Sequence, residues 1–505
     1  MVEPNVAELH TGPDGGEPLQ FDVIATFADG KTGQLAAAEW TVSNRTSGSI
    51  DETGLFTPSA ENGGITYVTA RFDGIEANAE LTVVYDEELV VDGAPTAGFD
   101  RRPEQVDGLW LYPENGVNFP RNTPSIQFQW NDLGASGYRL RFTAATTDLS
   151  VYTTATSWSA DEATWARLVG ANAGATLQVE LSARVGDTVQ GAPLRTLNVN
   201  RMDGDGTIYY WSTSASGFLR VPYGGAAEEY LTAATTGRCV GCHDISPSGA
   251  FAFTYDGGNG ALGVKDMNTG ADIVSSDAGL IGNFKTYSPD GRYLLTSANG
   301  ALLLHDAVTG AFLWEVPVDG TATQMDWSPD GSTVVIVLSV EHGADWIFTG
   351  GRIAVMDHLG DGVFGAPRVI YDPGAGYNAY YPVYSPDGAW IAFNVSTGDS
   401  YDDPDANVYV LPAEGGDAIA LAAANQTDGI TNSWPRWGPL PDDDVLWLAF
   451  SSKRNYGAIT AGAPQIWVAA FDPEKARAGE DPSWPAFWLP GQDPAQSNHI
   501  PLWAE

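Results

Sequence analysis

Ser288-Pro289-Asp290-Gly291 is followed at once by an apolar stretch, Tyr293-Leu294-Leu295-Thr296, and this turn-plus-strand unit recurs through the second half of the chain. Proline presets φ in such a turn and glycine accepts a positive φ, so the motif predicts a sharp reversal before each strand. Further copies are Ser-Pro-Ser-Gly at 246–249, Ser-Pro-Asp-Gly at 328–331 and at 385–388, and a degenerate Trp-Gly-Pro-Leu-Pro-Asp at 437–442. The first copies recur at intervals of about 40 residues, which is the length of a four-stranded propeller blade.

The repeat predicts a β-propeller over residues 204–505, with six blades and with seven as the alternative. One blade is expected to be split, with the C-terminal stretch 500–503 pairing with 207–211, because such closure removes the open edge of the sheet. The Ser-Pro-Asp-Gly repeats resemble those of TolB-like propellers, a resemblance that covers about 300 residues and implies the fold rather than an activity.

The first part of the chain predicts two β-sandwiches, so the whole chain is expected to be all-β. Residues 1–92 alternate apolar and polar side chains between closely spaced turns. Residues 50–58 (Ile-Asp-Glu-Thr-Gly-Leu-Phe-Thr-Pro) resemble bacterial Ig-like domains of the group-2 type, which implies a spacer or an adhesive arm. Residues 93–203 predict a second sandwich, similar to a fibronectin type III module, with a short helix at 160–169.

Charge and hydropathy limit the partners that the chain can have. It carries 64 acidic and 24 basic residues, a net charge of −40, which disfavours nucleic acid and anionic membrane surfaces and allows a basic protein partner. The sequence has no apolar stretch long enough to span a membrane. The start, Met-Val-Glu-Pro-Asn, has no leader features. We expect a periplasmic, cell-surface or secreted bacterial protein whose leader is replaced by an initiator Met.

The two cysteines of the chain lie in one Cys-x-x-Cys-His motif, which is the attachment signal for c-type haem. Cys239 and Cys242 would form the thioether bonds, and His243 would be the proximal iron ligand. The alternative is a Cys239–Cys242 disulfide in a propeller that binds a protein partner at the cell surface. A zinc site would need two further ligands from elsewhere in the chain.

Alignment of the blades on the turn places His243 three residues before Ser246, at a position that we expect on one rim of the central channel. The iron would then have a distal ligand or an open position. Met325 occupies the position equivalent to His243 two blades away. His499 lies in the adjacent blade, and the tail around it resembles the end of a group of bacterial propeller proteins that also carry Cys-x-x-Cys-His. That resemblance favours His499, with Met325 second.

Two acidic residues, Asp203 and Asp205, resemble the opening of a calcium loop, but the acid expected at its twelfth position is replaced by Ser214. The chain has no hydrolase, zinc-protease, phosphate-loop or dinucleotide motif. Whether it is an enzyme stays open, because a peroxidase-like activity would require an open iron position. The sequence thus predicts a haem c protein for electron transfer or small-ligand binding, with a redox partner or a haem ligand.

Overall fold

The computed structural model describes residues 1–35, 39–257, 260–339, 341–426, 429–439, 445–460 and 462–504. The chain is nearly all-β, as predicted. It divides into two compact units, Met1–Asp203 and Gly204–Glu505. No described helix is long and apolar enough to cross a membrane.

The first unit contains one longer helix, Glu162–Ala171, which confirms the short helix that the sequence predicts. Asp161 caps it by accepting a hydrogen bond from the Thr164 N–H at 2.8 Å. The strands of this unit are Val2–Glu3, Val6–Thr11, Leu19–Gln20, Asp22–Thr26, Thr32–Leu35, Glu39–Val42, Gly48–Ile50, Leu55–Pro58, Gly64–Phe72, Ile75–Val90, Glu104–Gln105, Trp110–Tyr112, Val117–Phe119, Gln127–Trp130, Gly137–Ala144, Thr147–Thr153, Ser157–Ser159, Thr176–Val185, Thr188–Gly191 and Arg195–Val199.

One long strand of this unit, Ile75–Val90, connects its two halves. Its first part pairs antiparallel with Gly64–Phe72, and its last part pairs parallel with Thr147–Thr153. A single sheet therefore continues through the boundary expected at residue 92. The division of this unit into an Ig-like and a fibronectin-like module stays a prediction.

The second unit is a six-bladed propeller in the part of the chain that the structure describes. Each blade is an antiparallel sheet built on four strands, to which blade 4 adds a fifth, Val363–Phe364, and the innermost strands of the blades contact one another in a closed ring. From the innermost strand outward, the blades are blade 1, Asn498–Ala504, Thr207–Ser212, Gly217–Pro222 and Glu228–Thr232; blade 2, Val240–Ile245, Ala250–Tyr255, Leu262–Asp266 and Asp272–Val274; blade 3, Lys285–Tyr287, Tyr293–Ala298, Ala301–Asp306 and Phe312–Val316; blade 4, Thr321–Trp327, Thr333–Ser339, Arg352–Gly360 and Arg368–Tyr371; blade 5, Asn378–Tyr384, Trp390–Ser396, Asn407–Pro412 and Ile419–Ala420; and blade 6, Asn432–Trp437, Leu446–Ser452, Gln465–Phe471 and Phe487–Trp488.

A few short elements complete the propeller. They are the strands Glu341–Ala344, Ile347–Thr349 and Val363–Phe364, the helices Ala233–Thr236, Ala422–Asn425 and Pro473–Arg477, and the 3₁₀ turn Ser276–Ala278.

Blade 1 closes the ring in the way that the sequence predicts. Its innermost strand comes from the C-terminal end of the chain and pairs antiparallel with Thr207–Ser212, with Ile208 opposite Trp503. The six-blade prediction is confirmed by these sheets. Closure pairs the last strand of the chain, Asn498–Ala504, with the first strand of the propeller, Thr207–Ser212, so no open sheet edge is left between them.

In blades 3, 4 and 5 a Ser-Pro-Asp-Gly turn connects the innermost strand to the next strand. In the copy at 288–291, the Ser288 hydroxyl donates to Asp290 Oδ1 at 2.6 Å and accepts the N–H of Tyr293 at 2.9 Å. Gly291 has a φ of +68°, as the motif predicts. The copies at 328–331 and 385–388 repeat these contacts. In the degenerate fifth copy, residues 440–442 lie outside the described residues.

Candidate functional site

The innermost strands carry a β-bulge in blades 1, 2, 4, 5 and 6, where the pairing register shifts. At each bulge one non-glycine residue adopts a left-handed backbone conformation. These residues and their φ values are Cys242 (+47°), Gln324 (+48°), Tyr381 (+53°), Trp434 (+59°) and Ile500 (+56°). A left-handed φ is uncommon at bulky residues. Because it recurs at the same position in several blades, the bulge is a regular feature of this propeller.

Side chains of the preceding blade hold three of these bulges. The N–H of Tyr381 donates to Gln324 Oε1 at 2.8 Å, and the N–H of Trp434 donates to Asn394 Oδ1 at 3.0 Å. The N–H of Ile500 donates to the Ser451 hydroxyl at 3.0 Å. The bulges are therefore fixed by contacts between blades.

The bulge residues line one small cavity in the central channel, and Phe284 lines it from blade 3. The Tyr381 and Trp434 rings stack with centroids 3.6 Å apart, and the Phe284 ring lies 5.8 Å from Trp434. The cavity volume that the centres of water molecules can occupy is about 20 Å³. That is enough for one or two waters.

The sequence prediction that the His243 position lies on the rim, where each blade's chain enters its innermost strand, is wrong. His243 lies inside the strand Val240–Ile245, and Met325 lies inside Thr321–Trp327. The chain enters each innermost strand several residues earlier, so these positions belong to the channel wall. The turn motif does not predict the bulge residues Cys242 and Gln324, which directly precede His243 and Met325.

Both cysteines of the motif are free thiols, at different depths. Cys239 is exposed, just before the innermost strand of blade 2. Cys242 is partly accessible, through the channel cavity, and its carbonyl accepts a hydrogen bond from Lys285 Nζ at 2.5 Å. Burial raises the pKa of both thiols. The Cys239–Cys242 disulfide that was the alternative prediction is not formed in this structure.

His243 is buried between two aromatic rings. Its imidazole lies 4.5 Å from the Phe218 ring and 5.5 Å from the Phe251 ring, measured between centroids. The Tyr209 backbone lies close enough to raise the pKa of His243, but neither ring nitrogen makes a hydrogen bond of good geometry to a described residue. Burial, together with the positive charges of Lys285 and Arg436, lowers the pKa of His243 to about 3. The imidazole is therefore neutral, and its basic nitrogen is not engaged.

The two candidate distal ligands face different spaces. His499 is 9% exposed, and its ring packs against Trp211 at an angle of 38°, with centroids 4.7 Å apart. It lines an open pocket of about 180 Å³ beside Trp434 and Lys453. Burial and the Lys453 charge lower the pKa of His499 to about 4. Met325 is 3% exposed and lines the channel cavity instead.

The open pocket lies at the end of the channel from which the innermost strands begin. Thr431 and Ser497, which form part of its wall, stand directly before the innermost strands of blades 6 and 1. Cys239 stands directly before the innermost strand of blade 2. Equivalent positions in a closed ring of blades lie at the same end of the channel, so Cys239 and His499 share this end.

A second set of polar groups, one position after the His243 position, was missed from the sequence. Asp244 Oδ2 accepts the N–H of Tyr287 at 2.9 Å, and Asp326 Oδ2 accepts the N–H of Tyr384 at 2.8 Å. Burial raises the pKa of Asp244 to about 7 and that of Asp326 to about 6. The repeat alignment contained the signal, since these positions follow His243 and Met325 directly.

The two acids of the predicted calcium loop have other partners in the structure. Asp203 receives two hydrogen bonds from Arg121, each 2.9 Å long, and Asp205 Oδ1 accepts the N–H of Gly206 at 2.7 Å. Among the described residues, no group of three or more His, Cys, Asp or Glu side chains is arranged to hold a metal ion. Calcium binding stays a prediction without a formed site.

Several solved structures are similar to this chain at low sequence identity. No family model matches the chain, and no curated protein matches it. TolB from Acinetobacter baumannii is 16% identical, over 65% of this chain and 79% of its own, with a TM-score of 0.40. A TolB from Agrobacterium tumefaciens is 18% identical, over 56% and 88%, with a TM-score of 0.36. Hydrazine synthase from Kuenenia stuttgartiensis is 16% identical, over 46% and 62%, with a TM-score of 0.31.

Proposed function

We propose that the chain carries a covalently attached c-type haem at the end of the propeller channel, bound through Cys239 and Cys242 and ligated by His243. The observation that carries the proposal is the His243 side chain. It is a buried, neutral imidazole whose two nitrogens make no hydrogen bond to any described residue, in the one position of the motif that ligates iron. A buried polar group without a partner is costly, and metal ligation would offset that cost.

The donor atoms of the motif fit this role. Both thiols are free, and the exposed Cys239 is open to a group arriving from solvent. The channel cavity is far too small for a porphyrin, so the macrocycle would lie outside it, at the end of the channel that holds the open pocket. His243 would have to leave the Phe218–Phe251 stack to reach it. Attachment therefore requires a side-chain rearrangement at the inner edge of blade 2.

A bound haem would supply a one-electron redox centre or a site for a small ligand. His499 is the favoured distal ligand, because its imidazole is neutral and lines the open pocket. Met325 is the second candidate, and an open position is the third. With this function we place the protein outside the bacterial cytoplasm, where a basic redox partner would be attracted by the acidic surface.

The test is expression of the full chain together with a c-type haem maturation system. We expect a Soret band that survives denaturation, since thioether bonds hold the haem to the polypeptide. Cys239→Ala and Cys242→Ala should each remove most of this covalent absorbance. His358→Gln is the matched control, because it changes a half-buried histidine elsewhere in the propeller. A wild-type protein without covalent haem would contradict the proposal.

The distal ligand is identified on the same preparation. His499→Phe should convert a low-spin spectrum to a high-spin one if His499 ligates the iron, and Met325→Leu should leave the spectrum unchanged. The reverse pattern would assign Met325. A high-spin spectrum in the wild-type protein, unchanged in both variants, would show an open position, the arrangement that ligand binding or a peroxidase-like activity requires.

A further inference from the structure

The channel cavity is lined by buried polar side chains that the fold leaves without partners. Asn283 is fully buried, and neither atom of its amide makes a hydrogen bond to a described residue. Gln324 is 3% exposed, and its Nε2 makes no hydrogen bond to a described residue. The hydroxyl of Tyr381 makes none either. Native proteins rarely leave such groups unpaired, because a buried donor or acceptor without a partner loses its hydrogen bond to water and gains none in return.

The orientation of Gln324 is fixed by the protein. Its Oε1 accepts the N–H of Tyr381 at 2.8 Å, and this contact identifies the oxygen end of the amide. The –NH₂ end is therefore the one left without a partner, and it is a pure donor.

Arg436 adds a charged donor to the same cavity. Its guanidinium makes one long hydrogen bond, to the Pro435 carbonyl at 3.3 Å, and no ion pair with a described residue. Guanidinium groups bind planar oxyanions through two parallel hydrogen bonds. The Arg436 charge acts to lower the pKa of the buried Asp244 and Asp326 carboxyl groups, each of which also accepts one backbone N–H, so these groups compensate part of its charge.

Lys285 adds a positive charge to the lining of the cavity, but its ammonium N–H groups already have partners. Its ammonium group is saturated by the Cys242 carbonyl, the Thr254 hydroxyl and the Asn283 carbonyl, at 2.5, 2.9 and 2.7 Å. Lys285 and Arg436 bring two positively charged side chains to the lining of this space of one or two water volumes, where Gln324 Nε2 and the Asn283 amide nitrogen are unpaired donors among the described residues.

We propose that the channel cavity is a binding site for a small planar oxyanion of the size of formate or nitrite, held by Arg436, Gln324, Asn283 and Tyr381. The small size of the space excludes larger carboxylates. The four residues that would hold the anion differ from those proposed to bind haem, but Cys242, His243 and Met325 line the same cavity, so formate binding is tested on the protein without haem.

The test is calorimetric titration of the full chain with sodium formate, with sodium gluconate holding the ionic strength. Gluconate is a carboxylate too large for the cavity. We expect saturable binding at one site per chain. Gln324→Glu is the decisive variant: it keeps the acceptor for the Tyr381 N–H and replaces the free donor by a negative charge. It should weaken binding by about tenfold or more.

Arg436→Gln should weaken binding similarly, and the exposed Arg292→Gln should leave it unchanged. Because Arg436→Gln can also disturb folding, near-UV circular dichroism of each variant is compared with the wild type, and Gln324→Glu decides the result. Equal formate binding by the wild type and Gln324→Glu would overturn the proposal. So would the absence of saturable heat in the wild type, which would show that the cavity holds only water.

Discussion

The turns and the channel bulges both recur from blade to blade, but the polar groups of the turns are hydrogen-bonded, whereas several polar groups in the channel are not. In the turn at 328–331, the Ser328 hydroxyl donates to Asp330 and accepts the N–H of Thr333. In the channel, the side chains of Asn283 and Gln324 retain unpaired polar atoms within the described residues. Repeated and fully paired groups maintain the fold. Buried and unpaired groups are retained at a cost in stability, which is typical of binding sites.

The bulges also differ from the turns in sequence. The turn uses nearly the same residues each time, whereas the bulge position shares a backbone conformation but holds a different side chain in each of the five blades that have it: Cys242, Gln324, Tyr381, Trp434 and Ile500. The bulge position thus has the same backbone geometry in these blades, but its side chain differs chemically from one blade to the next. Function is expected at that position rather than in the repeat.

The strongest test of this contrast uses two fully buried asparagines. Asn378 is paired on both ends of its amide, accepting the Gly351 N–H at 2.8 Å and donating to the Phe348 carbonyl at 2.8 Å. Asn378→Leu leaves these backbone groups buried and unpaired, so we expect a loss of about 3 kcal/mol in the free energy of unfolding. Asn283→Leu should change it by less than about 1 kcal/mol. Urea unfolding in a buffer without formate measures both, and equal losses would remove the distinction.

A smaller effect is expected at the turns. Ser328→Ala removes one donor and one acceptor that pair within the motif, and we expect a loss of about 1 kcal/mol in the free energy of unfolding. Ser332→Ala is the control, because this exposed hydroxyl contacts only Asp330 and water can replace it, so its effect should stay within about 0.5 kcal/mol. Losses of the same size would show that the motif serine has no special role.

The smallest effect concerns pH and a histidine in the blade body. His305 is 1% exposed, and burial lowers its pKa below 6.5. Below pH 6.5 the unfolded chain takes up a proton that the folded one does not, so this residue makes stability fall as the pH falls. His305→Gln should therefore lose less stability than the wild type between about pH 7 and pH 5. Identical pH slopes in urea unfolding would contradict the assignment.

The sequence predicted the parts of the molecule that are specified by local chemistry. Pro289, Asp290 and Gly291 predict their turn, and the repeats predict six blades, with seven as the alternative, closed by the stretch 500–503, which the structure places in the strand Asn498–Ala504. The bulges could not be predicted. A left-handed φ at Tyr381 or Trp434 depends on acceptors supplied by the preceding blade, such as Gln324 and Asn394, and nothing in the local sequence indicates it.

The same limit applies to the candidate site. The spacing of Cys239, Cys242 and His243 indicates their chemistry, but the position of His243 in the channel wall follows from the bulge. Arg436 and Asn283 could not be recognised, because they belong to no motif. They come together only when the blades close into a ring.

The most direct measurement is the intact mass of the full chain after expression with a c-type haem maturation system, compared with the Cys239→Ser/Cys242→Ser double variant. Thioether attachment predicts a wild-type mass that exceeds the polypeptide mass by one haem, and a double variant at the polypeptide mass. A wild-type chain at the polypeptide mass alone, from cells in which a control cytochrome c is fully loaded, would contradict a haem at this propeller channel.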